Sequence, residues 1–249
     1  MIPERRSVLL LGMRPTRLVH TADVHLGIGG AGPDGFEEQA FARAISLTAG
    51  VQADVLLIAG DLFDHARVPE ELLSWTAGQL DRAGCPVVLL TGNHDTLHAG
   101  SVHHRFRPAE RCAAVTLLDD PDGSVAEVPG TDVVVWGRAM TEHVPAYHPL
   151  AGIPPRPAGR WGVVAGHGQV LDPGRPRHHS SPISLAELAS VNWDYIALGH
   201  QHGYQVPQQA PVPAVYPGAT ASSRAGEPGV VLVEFSHEDG TRFEWAPIG

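Results

Sequence analysis

The sequence predicts an α/β protein, organised as a sheet-rich sandwich, and three observations support this prediction. Residues 17–91 alternate apolar runs with helical patterns in the order β-α-β-α-β, which implies parallel strands joined by right-handed crossovers. The later part of the chain holds mainly short apolar runs between turn-rich segments. No internal repeat or low-complexity linker divides the 249 residues, so one domain over residues 1–249 is expected.

The first part of the chain is predicted to contain strands at residues 17–22, 55–59 and 87–91, and helices at residues 36–49 and 69–83. The middle strand is continuously apolar, as expected for a parallel strand that is buried on both faces. The first helix has apolar residues at mostly helical spacing and two glutamates in its first turn, where the helix dipole favours them. The second begins near Pro69 and ends before Gly84.

The later part of the chain is predicted to be richer in strands. They are expected at residues 115–118, 133–136, 161–165, 195–198, 214–216, 229–235 and 241–245. A short helix begins at Ser184, where Glu187 completes a capping box, and Asp239-Gly240 forms a hairpin turn between the last two strands. Loops are expected at residues 27–35, 96–111, 119–123, 145–160 and 172–182.

Composition excludes several classes of protein. The net charge of -10 provides no overall positive field to attract nucleic acid, although two bound divalent ions would add positive charge locally. Cys85 and Cys112 are too few for a disulfide framework and are expected to be buried thiols. No apolar stretch approaches the roughly 20 residues of a membrane helix, and the apolar piece at residues 8–11 is too short for a secretory signal. A cytoplasmic location without membrane contact is therefore expected.

Five apolar runs end abruptly in side chains that bind metals or move protons. They lie at residues 18–25, 55–64, 89–95, 163–167 and 195–202. Because the carboxyl ends of parallel strands meet at one edge of a sheet, residues far apart in sequence are expected to converge there. Glycine directly precedes the polar residues in four of the runs, and it permits close backbone approach where several loops crowd one site.

The polar ends of these runs supply the ligands that a two-metal site requires. Such a site holds ions about 3.5–4 Å apart and needs a bridging carboxylate together with several neutral imidazoles. The candidate ligands are Asp23, His25, Asp61, Asn93, His167, His200 and His202. Mixed nitrogen and oxygen donors suit manganese, iron or zinc and argue against calcium, which prefers oxygen alone. The sequence therefore predicts two divalent ions, with manganese preferred.

These clusters resemble the calcineurin-like metallophosphoesterase family, whose pattern is D-x-H, G-D-x-x-D, G-N-H-[DE], a lone H, and G-H-x-H. Here they stand, in the family's order, as Asp23-Val24-His25, Gly60-Asp61-Leu62-Phe63-Asp64, Gly92-Asn93-His94-Asp95, Gly166-His167 and Gly199-His200-Gln201-His202. The resemblance covers residues 17–202. It implies a β-sandwich of two mixed sheets flanked by helices, here without an evident capping domain.

The resemblance also implies roles for the clustered residues. One ion would be held by Asp23, His25, Asp61 and His202, and the other by Asp61, Asn93, His167 and His200, so that Asp61 bridges the two. The catalytic residues would be His94 and Asp64. His94 would lie beside the scissile phosphate, to stabilise charge or protonate the leaving oxygen, and Asp64 would orient its imidazole. Asp95 is expected to buttress the loop.

Within the family, the segments HTADVHLG, AGDLFD and Tyr216-Pro217-Gly218-Ala219-Thr220 look most like the SbcD/Mre-type DNA repair exonuclease group. This likeness implies a phosphodiester substrate, DNA, and an ATPase partner; the oligomeric state is left open. Two interpretations of the loop arginines are equally favoured: a path for a phosphate backbone, or ordinary surface positions. These arginines are Arg105, Arg107, Arg111, Arg175 and Arg177.

Several further histidines are expected to be structural or solvated. His20 lies within a strand and is expected in the core, whereas five others lie in polar loops and are expected to face solvent: His98, His103, His104, His178 and His179.

Three functional hypotheses are carried forward. The leading one is a dinuclear metal-dependent phosphodiester hydrolase, nuclease-like, that uses a metal-bridging hydroxide. The alternative is a small-molecule phosphodiesterase, for example for cyclic nucleotides, or a phosphatase. The third is a non-catalytic binding module for an ATPase partner.

Overall fold

The computed structural model describes residues 12–30, 32–171, 180–221 and 226–248, and in this part of the chain two six-stranded mixed sheets pack together. With strands numbered in chain order, the first sheet consists of β14 (Gly240–Pro247), β13 (Gly229–Ser236), β1 (Thr16–Thr21), β2 (Val55–Ala59), β3 (Val87–Leu90) and β4 (Val115–Leu118). The second consists of β11 (Gln205–Gln208), β12 (Ala214–Tyr216), β10 (Tyr195–Gly199), β7 (Trp161–His167), β6 (Val133–Gly137) and β5 (Ser124–Glu127). The predicted sandwich of two mixed sheets is confirmed.

Both sheets have a parallel centre and antiparallel strands at an edge. In the first sheet β1, β2, β3 and β4 are parallel, and β13 and β14 continue the sheet, with β13 antiparallel to both β1 and β14. In the second sheet β6, β7, β10 and β12 are parallel, while β5 and β11 form antiparallel edges. The predicted parallel pairing of the first three strands is therefore confirmed, and their carboxyl ends share one edge.

The described residues form five α-helices. They are α1 (Phe36–Gly50), α2 (Glu70–Arg82), α3 (Val102–Phe106), α4 (Pro108–Arg111) and α5 (Leu185–Ser190), together with a single 3-10 turn, Ile28–Gly30. The predicted capping box of α5 is present, because Ser184 Oγ accepts from Glu187 N at 3.1 Å and Ser184 N donates to Glu187 Oε2 at 2.7 Å. A further pair of short strands, β8 (Gln169–Val170) and β9 (Pro182–Ile183), forms a small parallel ribbon.

Successive side chains along each central strand point to opposite faces of the sheet and therefore pack into different hydrophobic layers. In β2, Leu56 and Ile58 face α1 and α2, whereas Val55 and Leu57 face the second sheet. The outer face of the second sheet packs against α5 and the neighbouring loop through residues such as Val164 and Leu198. Both faces of the central strands are thus buried, which explains their continuously apolar sequences.

The structure corrects the prediction in several segments. Residues 96–111, expected to be a loop, contain α3 and α4, and these helices are too short to show a periodic pattern. Strands β5, β8, β9 and β11 were not predicted, because each is only two to four residues long and partly exposed. The loop at residues 145–160 is confirmed. Arg175, Arg177, His178 and His179 lie outside the described residues.

His20 links the two sheets within the core. It is fully buried on β1, and its Nδ1 lies 3.0 Å from the hydroxyl oxygen of Tyr195 on β10. Burial lowers the pKa of His20 to about 3 and raises that of Tyr195 well above its usual value, so the hydroxyl donates to a neutral imidazole. The prediction of a core histidine is confirmed. Cys85 and Cys112 are buried free thiols, as predicted, and no described helix is long and apolar enough to cross a membrane.

Acidification is expected to destabilise the fold through His20. Its pKa falls from 6.5 in the unfolded chain to about 3 in the core, so the native state binds fewer protons and its stability decreases as the pH falls below 6.5. The free energy of unfolding, measured with urea on EDTA-treated protein, is expected to decrease between pH 7 and pH 5. The decrease is expected to be about 2 kcal/mol smaller for His20→Gln than for wild type. Equal losses in the two proteins would contradict this account of His20.

Candidate metal centre

The structure brings the nine predicted site residues together at the carboxyl ends of five strands. Asp23 and His25 follow β1; Asp61 and Asp64 follow β2; Asn93 and His94 follow β3; His167 ends β7; His200 and His202 follow β10. Three strands come from the first sheet and two from the second, so the centre lies where the two sheets meet. The parallel arrangement of these strands brings together residues that are up to 179 positions apart, from Asp23 to His202.

One half of the centre contains Asp23, His25 and His202. Ligand atoms of these three residues all lie within 4.8 Å of one another. The Nε2 atoms of His25 and His202 are 3.2 Å apart, and His202 Nε2 is 4.0 Å from Asp23 Oδ1. Burial lowers the pKa of His25 to about 4 and also lowers that of His202. Both imidazoles are therefore neutral near pH 7, the form in which histidine binds a metal ion.

The other half contains Asp61, Asn93, His167 and His200. Asn93 Oδ1 lies 3.0 Å from His167 Nε2 and 2.8 Å from His200 Nδ1. His167 Nε2 also lies 3.3 Å from Asp61 Oδ2. His167 Nδ1 donates to the carbonyl oxygen of Ala59 at 2.8 Å, which directs Nε2 towards the two side-chain oxygens. Oxygen and nitrogen atoms that face one point form a donor set for a cation.

The charges in this half of the centre favour a cation. Burial alone would lower the pKa of His167, but the charge of Asp61 and a hydrogen bond to Asp61 raise it to about 9. The negative charge of Asp61 thus stabilises positive charge at the position of His167. A divalent ion at this position would be stabilised in the same way.

Asp61 occupies the middle of the centre. It is 1% exposed, and it belongs to one group of candidate ligands with His25 and His94 and to another with Asp23 and His167. Its Oδ1 accepts from the backbone amide of His94 at 2.8 Å. Burial raises its pKa, but the charge and hydrogen bond of His167 outweigh burial and hold the pKa well below its usual range.

Asp23 is the second buried carboxyl group. Burial raises its pKa to about 7, and the neighbouring charge of Asp61 acts in the same direction, although the backbone amide of His200 donates to it at 2.9 Å. Two carboxyl groups in one buried site do not both ionise readily without added positive charge. The arrangement therefore fits a group of divalent cations.

The backbone at the centre is strained. Asp23, His25, Asp61 and His200 have φ values of 53°, 55°, 55° and 104°, in the region that favours glycine. Each such residue costs on the order of 1–3 kcal/mol, and strain of this kind persists only where the surrounding structure enforces it. Four of the predicted metal ligands share it, so the strand ends are bent to aim these side chains inward.

Glycine is required beside the proposed ligands because no space is left there for a side chain. A Cβ atom at Gly60 would overlap His167 Nδ1, one at Gly92 would overlap Asp61 Oδ1, and one at Gly199 would overlap the carbonyl oxygen of Ala59. At each of these glycines, the atom that would be overlapped belongs to a different loop or strand. The motif glycines are therefore positions where site atoms occupy the volume of a side chain.

Asp95 connects two loops of the centre. Its Oδ2 accepts from the backbone amides of Leu62 and Phe63 at 2.9 and 3.3 Å, and its Oδ1 accepts from Gly92 N at 2.7 Å. It thereby fixes the loop of Asp61 relative to that of Asn93, which agrees with its expected role as a buttress.

His103 supports Asp95 and was not anticipated. Its Nε2 lies 3.2 Å from Asp95 Oδ2, and the side chain is 1% exposed. The expectation that His103 faces solvent was wrong, because α3 turns it inward against Phe63, at 6.0 Å between ring centroids. Ser101, which caps α3 by accepting from His103 N, was the available signal in the sequence. His98 and His104 are exposed, as expected.

His94 and Asp64 form a pair beside the centre. His94 Nδ1 lies 3.0 Å from the backbone oxygen and 3.2 Å from the side-chain Oδ1 of Asp64. The same Oδ1 lies 3.4 Å from His25 Nδ1, and the rings of His94 and His25 meet edge to face at 4.5 Å. The side chain of His94 is 41% exposed. The geometry accords with the predicted orienting role of Asp64, and the catalytic roles of the pair stay predictions.

His143 also lies at the centre, although no sequence motif marks it. Its ring contacts that of His200 at 5.6 Å between centroids. Burial lowers its pKa, and the charge of His167 lowers it further. The residue lies in the loop after β6, away from any strand end of the predicted kind, so a search for such motifs overlooks it.

The described arginines that could have bound a phosphate backbone contact other groups of the protein. Arg105 donates to the carbonyl oxygens of Ala66 and Val68 at 3.1 and 2.9 Å. Arg111 pairs with Glu70, and Arg107 pairs with Glu110 at 3.3 Å. The contacts of Arg105 and Arg111 hold α3 and α4 against the neighbouring loop and α2, which favours the structural interpretation of these residues.

Comparison with known proteins gives a consistent result. The model for the family described as calcineurin-like phosphoesterase matches residues 16–204. The chain is 31% identical over 240 residues to the DNA double-strand break repair protein Mre11 of Haloferax volcanii, an alignment that covers 89% of this chain and 50% of that protein. It is 26% identical over 246 residues to the uncharacterized metallophosphoesterase YhaO of Bacillus subtilis, with coverage of 89% and 58%.

A shorter match concerns the SbcD subunit of the nuclease SbcCD from Escherichia coli, which is 36% identical over 86 residues, 32% of this chain and 22% of that protein. The chain thus spans less than two thirds of the length of each of these curated relatives.

Solved structures show the same fold. A crystal structure of a Thermus thermophilus protein covers 95% of this chain and all of its own, with a TM-score of 0.58 at 10% identity. An archaeal phosphodiesterase covers 92% of this chain and 99% of its own, with a TM-score of 0.51 at 13% identity. At such low identities the likeness concerns the fold alone.

The glycine beside Asp61 provides a test of the crowded geometry. Gly92→Ala is expected to weaken manganese binding at least roughly tenfold and to lower the free energy of unfolding by about 1–3 kcal/mol, because the added methyl displaces the Asp61 carboxylate. Titration calorimetry and urea unfolding measure the two effects.

The matched control is Gly78→Ala, at an exposed position in α2 with no atom within 4 Å of the added Cβ. It is expected to raise stability by about 0.5–1 kcal/mol and to leave manganese affinity unchanged. Normal manganese binding by Gly92→Ala would contradict the proposed crowding.

Proposed function

Because the chain belongs to the calcineurin-like phosphoesterase family, we propose that it is a metal-dependent phosphodiester hydrolase with nuclease-like activity and two divalent ions. The observation that carries this proposal is the convergence of seven donor side chains, with buried Asp61 in the middle. Two carboxylates, one amide oxygen and four imidazoles suit manganese, with iron or zinc as alternatives.

We assign the ligands as two overlapping sets. Asp23, His25, Asp61 and His202 would hold one ion, and Asp61, Asn93, His167 and His200 would hold the other. When bound, two divalent ions lower the pKa of a water molecule towards neutrality and offset negative charge that develops on a phosphoryl group. Asp61 suits the shared position because its carboxylate lies 3.3 Å from His167 Nε2 and 3.9 Å from His25 Nε2.

His94 is proposed to act on the leaving group. Its Nδ1 faces Asp64, which leaves Nε2 to donate to a substrate oxygen, and its exposed ring is accessible from solvent. A proton delivered from Nε2 would neutralise the departing alkoxide. Asp64 fixes the direction of the ring through its contacts with Nδ1.

DNA is the proposed substrate class, supported by the likeness to Mre11 of Haloferax volcanii and to the SbcCD nuclease of Escherichia coli. An ATPase partner and a cytoplasmic location belong to the same proposal. The net charge of -10 favours a second candidate, a small phosphodiester such as a cyclic nucleotide, because no broad basic surface is then required. A non-catalytic binding module, the third alternative, does not require this complete ligand set.

Substitutions in the centre are expected to separate metal binding from catalysis. With bis-para-nitrophenyl phosphate and manganese, His94→Ala is expected to lose roughly 10²–10⁴-fold in kcat while its metal content stays at the wild-type level. Asp61→Asn is expected to lose both activity and metal content, since it removes the shared negative charge.

His98→Ala changes an exposed histidine near the same loop and is expected to behave as wild type. Equal rates in wild type, His94→Ala and Asp61→Asn would refute the assignment of the centre. Purified wild type that binds no metal, by elemental analysis, would instead support a binding module.

Competing substrates distinguish the two enzyme candidates. A labelled oligonucleotide is expected to be hydrolysed with a higher kcat/KM than cyclic AMP under the same manganese conditions, and its rate is expected to fall with added salt because charged phosphates are bound. A preference for cyclic AMP would replace the nuclease proposal with the small-substrate one.

A further inference from the structure

The seven proposed ligands do not exhaust the imidazoles at the centre. His94 lies against His25 on one side, and His143 lies against His200 on the other. His143 stands outside all five sequence motifs, and in the described residues it belongs to none of the groups whose ligand atoms cluster within 4.8 Å. His143 therefore lies beside the proposed ligands without belonging to their set.

The loop that carries His143 is held in place by hydrogen bonds on both sides of this residue. Met140 N donates to Thr91 Oγ1 at 2.7 Å, and Leu97 N donates to the carbonyl oxygen of Met140 at 2.7 Å. Thr91 immediately precedes the Gly92-Asn93-His94 turn, so this side of the loop is held to that turn. On the other side, Ser181 N donates to the carbonyl oxygen of Val144 at 3.1 Å.

The side chain of His143 is also positioned. Its ring stands edge to face against the His200 ring, with an interplanar angle of 65°. The residue is nevertheless exposed to solvent. A fully buried histidine would contribute mainly to packing, whereas this one is accessible beside the metal ligands.

We propose that His143 is a substrate-binding residue that donates a hydrogen bond to a non-bridging oxygen of the phosphoryl group on the His200 side of the centre. This inference rests on the proposed phosphodiesterase function. An imidazole carries an N–H donor in both protonation states, and hydrogen bonds to anionic oxygens are among the stronger ones. His94 and His143 then contact the substrate from the two halves of the centre, at the leaving oxygen and at the phosphoryl group respectively.

The same loop offers a matched comparison. His148 lies five residues further on and is also exposed, but its Nδ1 is 3.7 Å from Glu187 Oε1 of α5. Nothing connects its ring to a metal ligand in the described part of the chain. Replacing His148 therefore removes a loop imidazole of the same kind without removing a group from the centre.

Binding of inorganic phosphate to the manganese-loaded protein tests the proposal directly. His143→Ala is expected to weaken phosphate binding roughly tenfold, the loss of one hydrogen bond to a charged group. His143→Gln keeps an N–H donor and is expected to bind within about threefold of wild type, and His148→Ala is expected to be unchanged. Elemental analysis is expected to find wild-type metal content in all three variants.

Steady-state kinetics with bis-para-nitrophenyl phosphate provide the second measurement. His143→Ala is expected to raise KM roughly tenfold with kcat within about threefold of wild type, the signature of an interaction that is equal in ground and transition states. Unchanged phosphate affinity and KM, or a loss of metal in His143→Ala, would overturn the proposal. Wild type that binds phosphate without hydrolysing any diester would contradict the proposed function, and the phosphate titration would still decide the role of His143.

Discussion

The centre is built around carboxylate charge that is buried where two sheets meet. Asp23 and Asp61 are each 1% exposed, and a buried carboxylate without compensation is strongly unfavourable. The protein supplies partial compensation through the backbone amides of His94 and His200 and through the imidazole of His167. The remaining deficit of positive charge fits a site for cations, and the surrounding imidazoles and the Asn93 oxygen provide further donor atoms.

This electrostatic requirement determines the local backbone. Side chains from both sheets reach one point only if the strand ends bend sharply, and four of the predicted ligands accordingly have positive φ. His167 Nδ1 donates to Ala59 O, and a side chain at Gly199 would overlap the same oxygen, so β2, β7 and β10 are in close contact at this edge. The strain and the missing side chains are therefore consequences of one constraint, the close approach of two sheets at this edge.

Regular patterns in the sequence predicted the central strands of both sheets and the convergence of the polar residues at their ends. Apolar runs identified the central strands because both faces of each are buried, and the convergence of their polar ends followed from parallel pairing. Shorter elements escaped prediction: α3, α4 and the edge strand β5 contain too few residues to show a period. His103 was missed together with α3, which turns it inward, and His143 was missed because it lies in a loop whose contact with His200 no local pattern encodes.

The centre thus divides into an inner set, the seven proposed ligands, and an outer set of imidazoles, His94 and His143, that stand outside the ligand set. In the inner set, His167 is buried, fixed by a backbone hydrogen bond, and leaves no space for a side chain at the neighbouring glycines. Outer imidazoles such as His94 and His143 are exposed and lie in loops that other segments hold in place. In the proposed reaction the phosphorus approaches the inner set whatever is esterified to it, so the inner set would determine the reaction class. Discrimination among substrates would then arise from the outer set and the surface around it, where the described arginines of residues 105–111 already contact other groups of the protein.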